Sequence, residues 1–415
     1  MTRRFAARLI AIALCTLGIA AAAPAGALAQ SPPPLSVTAA ALYAPLTGQI
    51  LYGVNANRRL AIASTTKLMT ALVTLQHVHH LSTVFTQNEW YPASVDSQIG
   101  LVPGERMSVH DLLLALMLPS ADDAAEDLAY NVGHGSVARF VGMMNAEARA
   151  LGLTNTHYTT PIGLDTSGNY SSAADLVKLA RYDLSHSKYF ARIVDLRSAV
   201  LHSSSGSQLV TNRNDLVGQY PWIDGVKTGH TTDAGYVLVA SGHRDGMALI
   251  SAVLGTDTEQ SRDANTLALL DYGFSDFRLW TPVRAGQVLV RPTVHDQPGL
   301  RPDVVAGRSF ARMLPRDSRL HVVVSSPKQL SGPLPAQAVI GSAAVLDGRH
   351  VLTRIPLVLE HQLPAVSGLT LAARFVTKPL TLLAIAAVAG LGALRLRIVR
   401  RRRRIDRPGG ELEAA

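Results

Sequence analysis

Ser64-Thr-Thr-Lys67-Leu-Met-Thr-Ala-Leu-Val-Thr-Leu75 opens with a hydroxyl and an amine three positions apart and continues with Leu68, Met69, Leu72 and Leu75 at helical spacing. The spacing predicts a helix starting near Ser64, with the serine and lysine on one face about one turn apart. At a helix start the serine N–H also faces outward, where a developing oxyanion is stabilised. A lysine desolvated among other cations loses proton affinity and becomes a usable base. The pattern recurs at Ser185-His-Ser-Lys188 and Ser325-Ser-Pro-Lys328, but only Ser64 opens a strongly apolar helix.

Working outward, residues 36–43 and 49–55 read as two strands around Thr47-Gly48, a hairpin ahead of that helix. Helices are expected at 110–118, 123–132, 137–151 and 172–184, and strands at 226–228, 235–241 and 247–254, with a closing helix at 261–272. Strands, a helical insert, further strands and a last helix make an α+β fold. An antiparallel sheet with helices on its faces is expected, its site at the junction of sheet and insert. Beyond Phe277 short β-type runs alternate with Pro and Gly, as at 287–290, 320–324 and 338–344, which predicts a small all-β domain over 278–363.

Both ends of the chain point to a membrane. Arg3, Arg4 and Arg8, an apolar run from Leu9 to Ala23 and Ala27-Leu-Ala29 form an export leader over 1–29, cleaved before Gln30. Cys15, the only cysteine, lies in that run, so thiol, disulfide and cysteine-metal chemistry are excluded from the mature chain. After a linker at 364–378, the uncharged stretch Pro379 to Leu394 is flanked by Arg374 and Lys378 and by Arg395, Arg397 and Arg400 to Arg404. An anchor helix at 379–399 with a basic cytoplasmic tail at 400–415 puts the rest of the chain outside the cytoplasm. A helix lying on the membrane surface is the alternative. The formal charge of +9 is concentrated at these ends, and the exported part is near neutral, which gives no support to nucleic-acid binding.

Two more motifs follow the first at intervals of 56 and 107 residues: Ser120-Ala-Asp122 and Lys227-Thr-Gly229. A strand-borne lysine and threonine hydroxyl suit a carboxylate ligand, and glycine admits a close backbone. Ser120, after Pro119 and between two helices, either presents its hydroxyl to a cleft or caps the next helix. His77, His79 and His80 read as a solvated helix end, and Trp90, Trp222 and Trp280 as packing residues.

Order and spacing of the three motifs resemble those of the low-molecular-mass penicillin-binding proteins, the D-alanyl-D-alanine carboxypeptidase family of serine peptidases. Further segments carry the resemblance: Phe140-Val-Gly-Met-Met-Asn145, Leu151-Gly-Leu-Thr-Asn-Thr-His157, Gly163-Leu-Asp165, Tyr170-Ser-Ser-Ala173, Asp224-Gly-Val-Lys-Thr-Gly-His-Thr231 with Ala234-Gly-Tyr236, Gly332-Pro-Leu-Pro335 and Gly341 to Gly348. It implies a β-lactamase/transpeptidase-like fold with a peptidase domain over 30–277, and no cofactor or metal. The implied roles are Ser64 as nucleophile, Lys67 as base, Ser120 as proton relay, and Lys227 and Thr228 as carboxylate ligands. Gly229 lines the substrate strand, and the N–H groups of Ser64 and His230 form the oxyanion hole. Implied partners are peptidoglycan stem peptides, β-lactams as covalent inhibitors, and the cytoplasmic membrane.

The family expects Asn where this chain has Asp122. An ionised aspartate only accepts hydrogen bonds, and pairing with Lys67 would favour the charged lysine; sharing a proton with Ser120 and being kept neutral are the other possibilities. Ser167-Gly-Asn169 has the family's spelling but lies within another family segment, so it is rejected as the replacement. A β-lactamase, and a catalytically impaired penicillin-binding wall scaffold, remain alternatives to a working carboxypeptidase.

Overall fold

The computed structural model describes residues 31–90, 97–295, 297, 299–366, 368, 372 and 375–405. The expected export leader, Cys15 and the last ten residues of the expected cytoplasmic tail lie outside the described residues.

The chain enters through β1 (Ala39–Ala44) and β2 (Gln49–Val54), the expected hairpin, in which all six residues of β1 are buried. A single 3-10 turn, Ala63–Thr66, carries Ser64 and leads into α1 (Lys67–His77), so the helix proper starts three residues later than the periodicity suggests. Short strands β3 (Val84–Thr86) and β4 (Arg106–Ser108) precede α2 (Val109–Met117), α3 (Asp122–Val132) and α4 (Val137–Ala150). Then come α5 (Ala173–His186), α6 (Lys188–Val194) and the hairpin β5 (Ser198–Ser203) and β6 (Gly206–Thr211). Strands β7 (Ile223–Thr231), β8 (Gly235–Arg244) and β9 (Met247–Thr256) and helix α7 (Glu259–Asp276) complete this part.

The main sheet is antiparallel in the order β2-β1-β9-β8-β7, which leaves β7 as an edge strand. Its two faces bury alternate residues, as the two-residue period requires. Ala39, Ala41, Ile250, Ala252 and Leu254 face the helical insert, whereas Leu42, Leu249 and Val253 face α7. The insert packs α1 through α6 into the larger core and carries the small sheet β3-β4-β5-β6. Neither that sheet nor α6 is foreseen from sequence.

From β10 (Phe277–Val283) onward the chain is β-rich: β11 (Val288–Val290), β12 (Thr293–Val294), β13 (Val304–Ala306), β14 (Phe310–Pro315), β15 (Leu320–Ser325), β16 (Gln329–Leu330), β17 (Val339–Asp347) and β18 (His350–Leu359). Five of these form the sheet β11-β13-β18-β17-β15 around two small apolar clusters. Gln49 of β2 holds this domain through both polar groups of Met313, accepting from its N–H at 2.8 Å and donating to its carbonyl at 3.3 Å. A final helix, α8 (Pro379–Ile405), runs on through the arginines. Its segment Pro379–Arg402 is long and apolar enough to cross a bilayer, with none of its apolar window buried against the rest of the protein.

Candidate active site

Ser64 sits where the 3-10 turn meets the edge strand β7. Ala63 takes φ +47°, an unfavourable value for a residue with a Cβ, and the turn is held by Thr65, whose hydroxyl donates to the Ile62 carbonyl at 2.6 Å. Two glycines let the surrounding chain close in. A Cβ on Gly163 (φ +94°) would stand 2.0 Å from the Ala63 carbonyl oxygen, and one on Gly229 would stand 2.9 Å from the Ser64 nitrogen. The edge of β7 therefore lies against the Ser64 N–H, where no larger residue fits at Gly229.

Lys67, at the start of α1, is completely buried, and its ammonium is surrounded by oxygen. Nζ donates to Ser64 Oγ at 2.9 Å, to the Ile162 carbonyl at 3.0 Å and to Asp122 Oδ1 at 2.5 Å. Asp122 opens α3 and is buried; its second oxygen accepts from the Ser97 N–H at 3.0 Å, and its own N–H donates to the Ser97 carbonyl at 2.7 Å. Both carboxylate oxygens are thus occupied, and the substitution that sequence singled out is a buried ion pair on the amine next to the serine. Among the described residues no hydrogen bond joins Asp122 to Ser120, whose buried Oγ has no partner there. Nor does Ser120 cap α3: the cap position is Ala121, with no side-chain bond, and Ser120 is held at φ +69°.

Across the site, Lys227 on β7 is buried and donates to the Thr228 carbonyl at 3.0 Å. Burial pushes its ammonium well below the usual lysine range, Lys67 and Arg213 push it further, and Asp122 partly opposes them. Arg213, which no motif marks, therefore belongs to the same charged group, just beyond the hairpin β5–β6. Lys67, Arg213 and, least of all, Arg262 act on Lys227 against the carboxylate of Asp122, an arrangement suited to a ligand that brings its own negative charge. His230, next on β7, is exposed and rests its ring on Tyr236 at 4.1 Å between centroids. Asp165 ties the loop after Gly163 to the β7–β8 turn, accepting from the Thr231 hydroxyl at 2.6 Å and the Asp233 N–H at 3.0 Å.

The structure brings Ser64, Lys67 and Asp122 into one hydrogen-bonded chain, with Gly229 against Ser64 and Lys227 within electrostatic reach. Asn169 does not join it: its Nδ2 donates to Thr66 Oγ1 at 3.4 Å, and its Oδ1 accepts from the Thr159 N–H. His157 is tied to the Gly168 carbonyl at 2.7 Å. The two other Ser-x-x-Lys matches lie on the surface, with Ser185, Lys188, Ser325 and Lys328 all exposed.

A serine bonded to a buried lysine, beside an edge strand with its own buried lysine, defines the class of active-site serine enzymes that work through an acyl-serine. Comparison with known proteins narrows the class. Residues 27–258 match the peptidase S11 family, described as D-alanyl-D-alanine carboxypeptidase. The chain is 33% identical over 345 residues to the D-alanyl-D-alanine carboxypeptidase DacA of Escherichia coli K12, covering 77% of this chain and 81% of that protein. It is 36% identical over 237 residues to DacB2 of Mycobacterium tuberculosis, covering 55% of this chain and 79% of that protein. Penicillin-binding protein 5 from Haemophilus influenzae superposes with a TM-score of 0.66 at 29% identity, over 80% of this chain and 99% of that one. The Streptomyces K15 DD-transpeptidase superposes at 0.56 with 33% identity, over 59% of this chain and 100% of that one. The chain belongs to the D-alanyl-D-alanine carboxypeptidase family of serine peptidases.

Proposed function

We propose that the protein removes the terminal D-alanine from peptidoglycan stem peptides, outside the cytoplasmic membrane, and that β-lactams acylate the same serine. The observation that carries this is the 2.9 Å hydrogen bond from the buried Lys67 Nζ to Ser64 Oγ. Neutral Lys67 takes the Ser64 proton as Oγ attacks the carbonyl carbon between the two D-alanines. The negative charge that forms on the carbonyl oxygen is received by the N–H groups of Ser64 and His230. Collapse breaks the C–N bond, and the proton passes from Lys67 by way of Ser120 Oγ to the leaving amine. Water then hydrolyses the ester and returns the proton to Ser64. Lys227, Thr228 and Arg213 hold the substrate's terminal carboxylate. A β-lactam goes through the same first step, but its opened ring keeps the amine attached to the acyl group.

Residues 30–277 form the peptidase unit in this reading, residues 278–363 a companion β domain, and 364–378 the link to a membrane anchor. The length and composition of α8 support the anchor, and the arginines after Leu394 support a cytoplasmic C-terminus. One observation favours a second reading, in which penicillin is trapped but peptide turns over little: the carboxylate of Asp122 on the base. Purified full-length protein tests both. D-alanine released from a pentapeptide, with labelled penicillin bound by the wild type and not by Ser64→Ala, supports the carboxypeptidase. Trapping without D-alanine release supports the second reading, and labelling that survives Ser64→Ala refutes both. For the anchor, truncation after residue 363 is expected to move the protein from the membrane to the soluble fraction.

A further inference from the structure

Asp123 stands beside Asp122 at the start of α3, is 1% exposed, and takes no part in the mechanism above. Its carboxylate is used in an unusual way. Oδ2 accepts from three successive N–H groups, those of Ile99 at 3.1 Å, Gly100 at 2.8 Å and Leu101 at 3.0 Å. Oδ1 accepts from the Ala124 N–H at 2.9 Å. A carboxylate enclosed by consecutive backbone donors fixes the path of that backbone, since each bond is charge-assisted and directional. Burial nevertheless raises its proton affinity, the four backbone bonds opposing it. Two residues before Ile99 is Ser97, whose peptide brackets Asp122 by donating to Oδ2 and accepting from the Asp122 N–H. The contacts form one line: Asp123 holds 99–101, that segment carries Ser97, Ser97 aims the Asp122 carboxylate, and Asp122 pairs with Lys67.

We infer that Asp123 is a positioning residue for acylation, setting through Ser97 how tightly Asp122 pairs with Lys67. The inference rests on reading Lys67 as the base. Lys227 from β7 acts on both members of the pair, Arg213 from the segment after β6 and Arg262 from α7 act in turn on Lys227, and on α3 itself Asp127 faces Asp123. Replacing Asp123 by Asn removes the charge that gathers the three N–H groups and sets an NH2 among them. The aim of Asp122 loosens, and Lys67 is released from part of its pairing.

The test is the pH dependence of acylation by labelled penicillin, measured as a rate per active serine on the full chain. For Asp123→Asn the rising limb is expected to move to lower pH, in the same direction as for Asp122→Asn and by less. Asp123→Glu is expected to restore part of the wild-type profile. The double variant is expected to lie with Asp122→Asn alone, since residues acting through one contact are not additive. Gly100→Ala provides the same perturbation without touching Asp123. Gly100 has φ +87° and nothing within 4 Å of a new Cβ, so the substitution strains the segment without crowding the core. A shift in both Asp123→Asn and Gly100→Ala supports the inference. A limb that stays in place in either folded variant, or shifts that add in the double variant, overturns it. If Asp122→Asn moves the limb and the Asp123 and Gly100 variants do not, the reading of Lys67 stands and only this inference falls. If Asp122→Asn does not move it either, both fall.

Discussion

Replacing Asp122 by Asn restores the residue the family expects and tests whether the buried pair restrains Lys67, the proposed base. The charges are 2.5 Å apart, with 0% of the lysine side chain and 7% of the aspartate side chain exposed. At that distance and an effective dielectric near 20 their attraction is about 7 kcal/mol in favour of the ammonium form. The amide oxygen of Asn keeps part of this as a dipole. If roughly half is lost, neutral lysine gains ~3 kcal/mol, which moves the limb where deprotonation of Lys67 governs rate to lower pH. A lysine that loses its proton more readily is also a weaker base, so the increase in acylation near pH 7 is expected to be roughly tenfold rather than a hundredfold.

The assay is the second-order rate of labelling by a fluorescent penicillin between pH 5 and 10, with thermal unfolding followed on the same samples. Acylation that is faster at neutral pH, with its rising limb displaced to lower pH, is the expected result. A folded variant whose limb coincides with that of the wild type, or whose neutral rate falls, refutes the argument. It would mean that Asp122 serves the proton transfer directly rather than holding the proton on Lys67.

Three other perturbations follow from the packing. Burial raises Asp127, one turn along α3, to about 7 from an ordinary 3.8, so the folded state binds its proton more tightly and stability falls as pH rises between those values. Asp127→Asn mimics the protonated form, and its urea midpoint should gain on the wild type between pH 5 and 8, by at most ~4 kcal/mol in free energy; parallel midpoints refute this. Gly163→Ala sets a Cβ 2.0 Å from the Ala63 carbonyl and 2.8 Å from Thr66 Oγ1, so penicillin labelling should fall at least about tenfold, and a normal rate refutes the packing argument. Lys227→Met should abolish D-alanine release while stabilising the fold, because it removes a buried ammonium. Since the proton affinity of Lys227 is lowered in the folded state, that gain should be greatest at low pH and shrink as pH rises toward 10.5.

What the sequence revealed and what it hid divide along the range of the interactions. The helix of Lys67 was readable because its apolar positions repeat every three to four residues and pack into one core. Strands of the main sheet were readable from runs of buried residues such as 237–240 and 249–254. Strands β3 and β4 are three residues each, too short for a period, and are defined only by pairing with partners far along the chain. The pairing of Asp122 with Lys67 was one of the outcomes left open once the family resemblance set that motif position beside the lysine, and charge then favoured it. Asp123 was not: its partners are 22 to 24 residues upstream, in a stretch without a motif. Arg213 was hidden for the same reason, as one arginine among many until the fold sets it beside Lys227.

Asp122 has a second effect, which separates an altered enzyme from a dead one. Its charge opposes the fall in the proton affinity of Lys227, against burial and the repulsion of Lys67 and Arg213. In the proposed mechanism the carboxylate that holds a proton on Lys67 therefore also helps keep Lys227, the proposed carboxylate ligand, charged. With Asn at this position the chemical step quickens while Lys227 loses its one opposing anion. A peptide carboxylate then meets a Lys227 that holds its proton less firmly, so KM for a D-alanyl-D-alanine peptide should rise by a few-fold as the acylation rate constant rises. A variant with a faster chemical step and an unchanged or lower KM would show that Lys227 does not depend on Asp122. The substitution would then act on the base alone.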